Sequence, residues 1–256
     1  MSLQRFMDRR VSVVIPSTGR LAQLADCVER LWATTRGFDV ECIVVTDDPE
    51  TWRWGSGVVG QHGHGVLRML QLSDQNGAWR PRALEAWNLG AGWSTGTVLV
   101  LGADDLWWFH GWIGEMMETM AEFPDGEGMV GLNDLAHDGN KLSTHFGVGR
   151  EFARLHFGGV LVCPNYHHFY VDQEAMQRAK RAGRFVWAQN AVAEHLHPDL
   201  RKAETDALYE QTRAFLEEDK ETFFERARLG WPDDFQPVIG PASFDCAPCV
   251  SSAQDG

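Results

Sequence analysis

The stretch VSVVIPSTGRLAQLADCVERLWATTRGFDVECIVVTDD, residues 11–48, decides the fold. It opens with VSVVIP (11–16), a β-branched run stopped by Pro16 that reads as a buried parallel strand. A helix follows, with Leu21, Leu24, Val28 and Leu31 on one face and Ser17 or Thr18 available as its cap. VECIVVTDD (40–48) is a second strand that again ends in polar residues. Strand, helix and strand in that order imply a right-handed crossover and a parallel sheet.

Working outward, the alternation continues. GVLRMLQL (65–72) predicts a third strand, RPRALEAWNLGAGWSTG (80–96) a helix closed by glycine, and 97–102 a further strand. A helix over 112–122, a short strand GMVGLND (128–134) and a helix DQEAMQRAKRAG (172–183) come next. RFVWAQNAVAEHLHP (184–198) reads as extended and 203–230 as one long amphipathic helix, before an irregular tail from Trp231. The expectation is an α/β core over 9–198, with 199–256 as a C-terminal helix and tail packed on it.

With 256 residues, 44% of them hydrophobic, the chain can bury one sizeable core. The charged fraction of 23% excludes a disordered chain. No apolar run approaches the roughly 20 residues of a membrane helix, and MSLQRFMDRR has no signal-peptide core. Five cysteines at irregular spacings make no disulfide framework. These features place the chain in the reducing cytoplasm. A net charge of −13 argues against a broad nucleic-acid surface and leaves room only for a local basic groove.

In open α/β sheets, ligands bind beyond the carboxyl ends of the strands. Pro16–Arg20, Thr46–Asp48 and Gly102–Asp105 are three such polar ends, and they should converge. In VLVLGADDLWW (98–108) the adjacent carboxylates of Asp104 and Asp105 repel unless neutralised. Caps or turns are one reading. The sharper one is Mg²⁺ or Mn²⁺, held by a few carboxylates together with ligand phosphates. In AEHLHP (193–198), His195 and His197 share one side of an extended chain, either as packed histidines or as metal ligands that slightly favour Mn²⁺. Trp107 and Trp108 either stack on a ligand or pack. QHGHG (61–65) reads as a loop, and CAPC (246–249) lacks the second pair of a zinc site. PNYHHFY (164–170) is an aromatic loop just before Asp172.

VSVVIPSTGR, CIVVTDDPE, EAWNLGAGWSTGTVLVLGADD, YVDQEAMQRAKRAGR and EHLHP occur in the order seen in family 2-like glycosyltransferases. The chain resembles that family over roughly residues 10 to 230, and most of all its compact phage and bacterial members. The resemblance implies a GT-A fold: Rossmann-like, with a mostly parallel central sheet flanked by helices. It implies a metal-dependent hexosyltransferase that moves a sugar from a nucleotide sugar, a UDP-sugar, to an acceptor hydroxyl with inversion. Pro16, Ser17, Thr18 and Arg20 would border the nucleotide, Asp47 or Asp48 would meet its base, and Asn88 would lie near the sugar-phosphate. Asp105 would be the metal-binding end of the D-x-D equivalent, with Asp104 beside it and His195 or His197 as the downstream ligand. The motif here is Ala103-Asp104-Asp105 and not a true D-x-D.

Asp172 stands at the catalytic-base position, with Glu174 in reserve, although Val171 replaces the acidic residue that usually precedes the base. The bland reading of Asp172 is a helix cap. Loop 166–170 would line the acceptor side. Phage look-alikes imply an enzyme of the host cytoplasm whose acceptor is a hydroxymethylated pyrimidine in DNA. Arg80, Arg82, Arg150, Arg154, Arg178 and Arg181 would then supply a cationic track; a glycan or small molecule is the other acceptor class. Three rival readings are a nucleotidyltransferase of related fold, a metal-dependent hydrolase, and a degenerate transferase kept as a binding module. The first would want a phosphate loop richer in glycine and cations than PSTGR.

Overall fold

The computed structural model describes residues 7–62, 65–72 and 81–235. Arg80, CAPC, the end of the tail and part of QHGHG lie outside the described residues. The described elements begin with β1 (Val11–Pro16), α1 (Leu21–Thr34), β2 (Val40–Thr46), α2 (Pro49–Val58), β3 (Gly60–His62) and β4 (Gly65–Gln71). There follow α3 (Ala83–Trp93), β5 (Val98–Leu101), β6 (Leu106–Trp108), α4 (Trp112–Ala121), β7 (Met129–Asn133), β8 (Phe146–Gly149) and α5 (Arg150–His156). The chain continues through α6 (Val171–Arg181), β9 (Phe185–His195), a 3₁₀ turn at Pro198–Leu200, α7 (Ala207–Arg213) and α8 (Leu216–Leu229).

The strands lie in the order β3-β4-β2-β1-β5-β8-β7-β9-β6. The centre, β4-β2-β1-β5, is parallel. β8 pairs antiparallel with both β5 and β7, whereas β9 runs parallel to β7. Each face of the sheet carries a core. Val11, Val13 and Ile15 of β1 pack toward Leu24, Leu31, Trp112 and Met116 of α1 and α4. Val14, between them, faces the opposite core of Leu84, Trp87, Phe152, Val171 and Met176. Both faces of the strand are thus covered, which is why VSVVIP is apolar apart from Ser12, itself buried and donating to Glu41 Oε2 at 2.7 Å.

Several local expectations change. Residues 203–230 form two helices rather than one, because the chain breaks at 214–215 between α7 and α8. The expected Ser17 or Thr18 cap is absent: Arg20 occupies the N-cap of α1 and makes no side-chain cap bond. Both hydroxyls are drawn instead to carboxylates at the strand ends. Trp108 is buried, donating from Nε1 to Cys27 Sγ at 3.3 Å and packing on Trp112. The Arg30 guanidinium lies 3.7 Å from the Trp107 ring centroid. Both tryptophans therefore pack on the α1 side. No helix among the described residues is long and apolar enough to cross a membrane.

Candidate active site

The carboxyl ends of β1, β2 and β5 open on a single cleft of about 430 Å³, completed by residues from β9, α6, α7 and their connections. Gly102 leads β5 into it. A Cβ there would sit 2.9 Å from the Val14 carbonyl, so only glycine lets the turn toward Asp104 pass that close to β1.

Asp104 and Asp105 are both buried. Ser17 Oγ donates to Asp104 Oδ2 at 2.7 Å, and Arg20 Nη1 lies 3.5 Å from Oδ1. Arg20 also forks onto Asp206, the N-cap of α7, at 2.7 and 3.0 Å. Asp105 faces His195, whose Nε2 is 3.3 Å from Oδ2. The β6–β9 pairing makes this contact, since Leu106 lies opposite His195 and the Leu196 amide donates to the Asp105 carbonyl. Two adjacent buried carboxyls cannot both carry charge cheaply. Burial and the charge on Asp105 push Asp104 up to about 7. Burial works against Asp105 as well, but His195 prevails and holds that carboxyl below the ordinary range.

Asp105 Oδ1 is buried and has no hydrogen-bond partner. His145 Nε2 is in the same state. The His145 Nδ1–H donates to the Leu101 carbonyl at 3.1 Å, and its ring meets that of His195 edge-on at 4.7 Å. The His197 ring lies 4.8 Å from the other side of His195 and takes the Asp199 amide on Nδ1.

Pro16, Ser17, Thr18, Arg20, Asp47, Asp104, Asp105, Asp172, His195 and His197 all line the cleft. Three expected site residues do not. Asp48 caps α2, accepting from the Thr51 amide and hydroxyl at 2.8 and 2.6 Å, so the aspartate at the rim is Asp47. Asp47 accepts from Thr18 Oγ1 at 2.5 Å and faces Arg82 at 3.8 Å. Asn88 is buried and holds the backbone at 161–162: Oδ1 accepts from the Leu161 and Val162 amides, and Nδ2 donates to the Val162 carbonyl. Glu174 is buried beneath α6, where Arg226, Arg178 and Tyr166 contact its carboxylate. A carboxylate so fully engaged is a packing element and not a base.

Asp172 lies in the first turn of α6, half-buried at the cleft, with Tyr170 as the N-cap. It therefore does not cap the helix. Burial raises its carboxyl to about 6. The loop before it is shaped from α8: the fully buried Asp219 accepts the amides of His167, His168 and Phe169 at 2.7 to 2.8 Å.

Sequence reading missed four of these residues. Asp219 sits in an acidic run that looks like a solvated helix face. His145 stands alone, with no spacing partner. Asp134 and His137, also in the cleft region, are a D-x-x-H pair that a turn-aware reading of NDLAHDG would have caught.

No protein-family model matches the chain, and no curated protein matches its sequence. Solved structures do match. A mannosyltransferase from Pyrobaculum calidifontis, in complex with GDP-Man and Mn²⁺, superposes with a TM-score of 0.64 at 14% identity, over 89% of this chain and 70% of that one. S. aureus TarS 1–349 gives 0.57 at 13%, over 86% and 73%. A Drosophila β-1,4-galactosyltransferase 7 in complex with manganese, UDP-Gal and xylobiose gives 0.50 at 15%, over 80% and 79%. TarS has also been solved in complex with UDP-GlcNAc. At these identities the likeness is one of fold, and that fold is GT-A.

Proposed function

We propose that this chain is a metal-dependent glycosyltransferase that moves a sugar from a nucleotide sugar to an acceptor hydroxyl with inversion. The carrying observation is the orphaned Oδ1 of Asp105, a buried carboxylate oxygen at the ligand-facing end of β5 in a GT-A fold. An unpaired buried polar atom costs about 1–3 kcal/mol, more when charged, and persists where function needs it.

The donor set fits a divalent cation. Asp105 with His195 or His197 offers hard oxygen and imidazole nitrogen, and Asp104 stands beside them. Among the described residues no three His, Cys, Asp or Glu side chains converge on one point. Asp105 and a histidine would hold such a cation together with the donor's diphosphate, as is usual for Mg²⁺ and Mn²⁺ at nucleotide sites. When bound, it offsets the charge building on the departing nucleoside diphosphate. Pro16, Ser17, Thr18 and Asp47 border the nucleotide. A UDP-sugar is the donor we favour, as in two of the three neighbours, TarS and the galactosyltransferase.

Asp172 takes the acceptor proton. Its carboxyl is ionised above pH 6, yet desolvated enough to be a stronger base than a surface aspartate. The DNA-acceptor reading draws no support from Arg82, Arg150, Arg154 or Arg178. Arg150 donates to backbone around Gly96, Arg154 pairs with Glu151, Arg178 with Glu174 and Asp233, and Arg82 with Glu85. Cations already engaged in this way make a poor phosphate track.

The test is thermal melting with UDP-, GDP- and other nucleotide sugars, each with and without Mn²⁺. A shift that requires nucleotide sugar and metal together supports the reading. Metal-independent binding overturns its metal half, and no shift with any donor overturns it entirely.

A further inference from the structure

One arranged pair in the cleft is left unused by the donor chemistry above. Asp134, buried just past the end of β7, accepts four hydrogen bonds. Its Oδ1 takes the amides of Ala136 and His137 at 2.9 Å, and its Oδ2 takes Thr144 Oγ1 at 2.9 Å and His137 Nδ1 at 2.6 Å. A carboxylate only accepts, so the His137 Nδ1–H donates to Asp134, and Nε2 is the ring nitrogen that Asp134 leaves for a ligand. His137 is itself part of the cleft lining and partly exposed. The turn that aims it holds Leu135 at φ +57°, a left-handed conformation unfavourable for a leucine. Backbone strain and a carboxylate with four donors together orient the imidazole, an arrangement typical of functional histidines.

We propose that His137 is an acceptor-recognition residue, with Asp134 as its positioning residue, and that the acceptor is a saccharide whose neighbouring hydroxyls are shared between His137 and Asp172. The proposal rests on the glycosyltransferase reading and names its acceptor class. His137 and Asp172 line the same cleft. Between them the chain supplies two groups that hydrogen-bond hydroxyls, and Asp134 holds the direction of the imidazole. Phe169 and Tyr170, on the turn leading into Asp172, add flat apolar surface, and the Tyr170 ring is backed by Phe223 at 5.1 Å. Hydrogen-bonding groups beside aromatic faces suit a sugar ring, which presents directional hydroxyls at its edge and C–H groups on its faces. A hydroxymethyl group on a nucleobase offers one hydroxyl and brings phosphates toward Asp172.

The test uses the whole chain loaded with Mn²⁺ and UDP or GDP, whichever gives the larger melting shift. Methyl glycosides of glucose, galactose, mannose, xylose and N-acetylglucosamine are titrated by calorimetry, in parallel with an oligonucleotide containing hydroxymethylcytosine. At least one glycoside binds in the millimolar range or tighter. His137→Gln weakens that binding at least fivefold and leaves the Mn²⁺–nucleotide shift in place. Adding Asp134→Asn to His137→Gln weakens glycoside binding no further, because Asp134 acts through the imidazole; a merely structural carboxylate would give additive losses. Equal glycoside binding by wild type and His137→Gln, binding of the oligonucleotide alone, or binding of neither probe to the loaded protein each overturns the proposal. Absence of any nucleotide shift instead defeats the glycosyltransferase reading beneath it.

Discussion

Asp172 draws its reactivity from its surroundings, and those surroundings make it costly. Its carboxyl titrates at about 6 in the folded chain against an ordinary 3.8, so the folded state holds the proton more tightly than the unfolded one. The penalty is absent near pH 4 and below, and fully present above about pH 7, where it reaches about 2–3 kcal/mol. Asp172→Asn should therefore melt higher than wild type at pH 7.5 and level with it at pH 4, a crossover that scanning calorimetry can follow. The same variant should lose about 10²- to 10⁴-fold in turnover with nucleotide affinity unchanged. Wild-type turnover, for its part, should climb with pH through 6. A parallel loss of donor binding would mark Asp172 as a donor ligand. Asp105→Ala separates from it cleanly: Mn²⁺-dependent nucleotide binding disappears while the far-ultraviolet circular dichroism is retained. Full activity of that variant with Mn²⁺ present would remove Asp105 from the metal site. The Asp104–Asp105 pair was legible as part of a candidate site because two carboxylates at a strand end have few structural uses, and both do line the cleft. Asn88 and Glu174 were misassigned because sequence position cannot tell a polar side chain facing a cleft from one buried against backbone or arginine.

At the scale of elements, short pairings carry the site. β6 is three residues long, and its pairing with β9 sets His195 beside Asp105. Nothing in LWW announces a strand; its strand character comes from the partner. α8 has a similar hidden role, since Asp219 anchors the amides of 167–169 from 50 to 52 positions away. Asp219→Ala leaves three amides without their acceptor and should cost about 3 kcal/mol or more. Hydrogen exchange should show the loss first at 166–171, with the amides of β1 and β2 still protected; uniform loss across the sheet would mean that α8 is simply part of the core. The Arg226–Glu174 contact, forked at 2.8 and 3.0 Å, ties the same helix to α6 and so to the turn carrying Asp172.

For the whole molecule, folding and donor binding are linked. A ligand that binds only the native state at a hundredfold excess over its Kd adds about 2.7 kcal/mol of apparent stability. Because the described residues supply only part of a cation's ligand set, Mn²⁺ alone should shift melting little and UDP alone modestly, with the two together exceeding their sum. An additive response would show that cation and nucleotide bind apart. The amino-acid sequence by itself determined the layered architecture, because continuous apolar runs and 3.6-residue periodicity are local properties that survive any arrangement of neighbours. It also marked the strand ends where polar residues gather. Which of those residues face one another was decided only by the tertiary structure. The Asp105–His195 contact spans ninety positions, and the hold of Asp219 on the loop before Asp172 spans about fifty. Such contacts depend on strand order, curl and the packing of helices from distant parts of the chain, and the physical forces that fix them act through space and leave no period in the sequence.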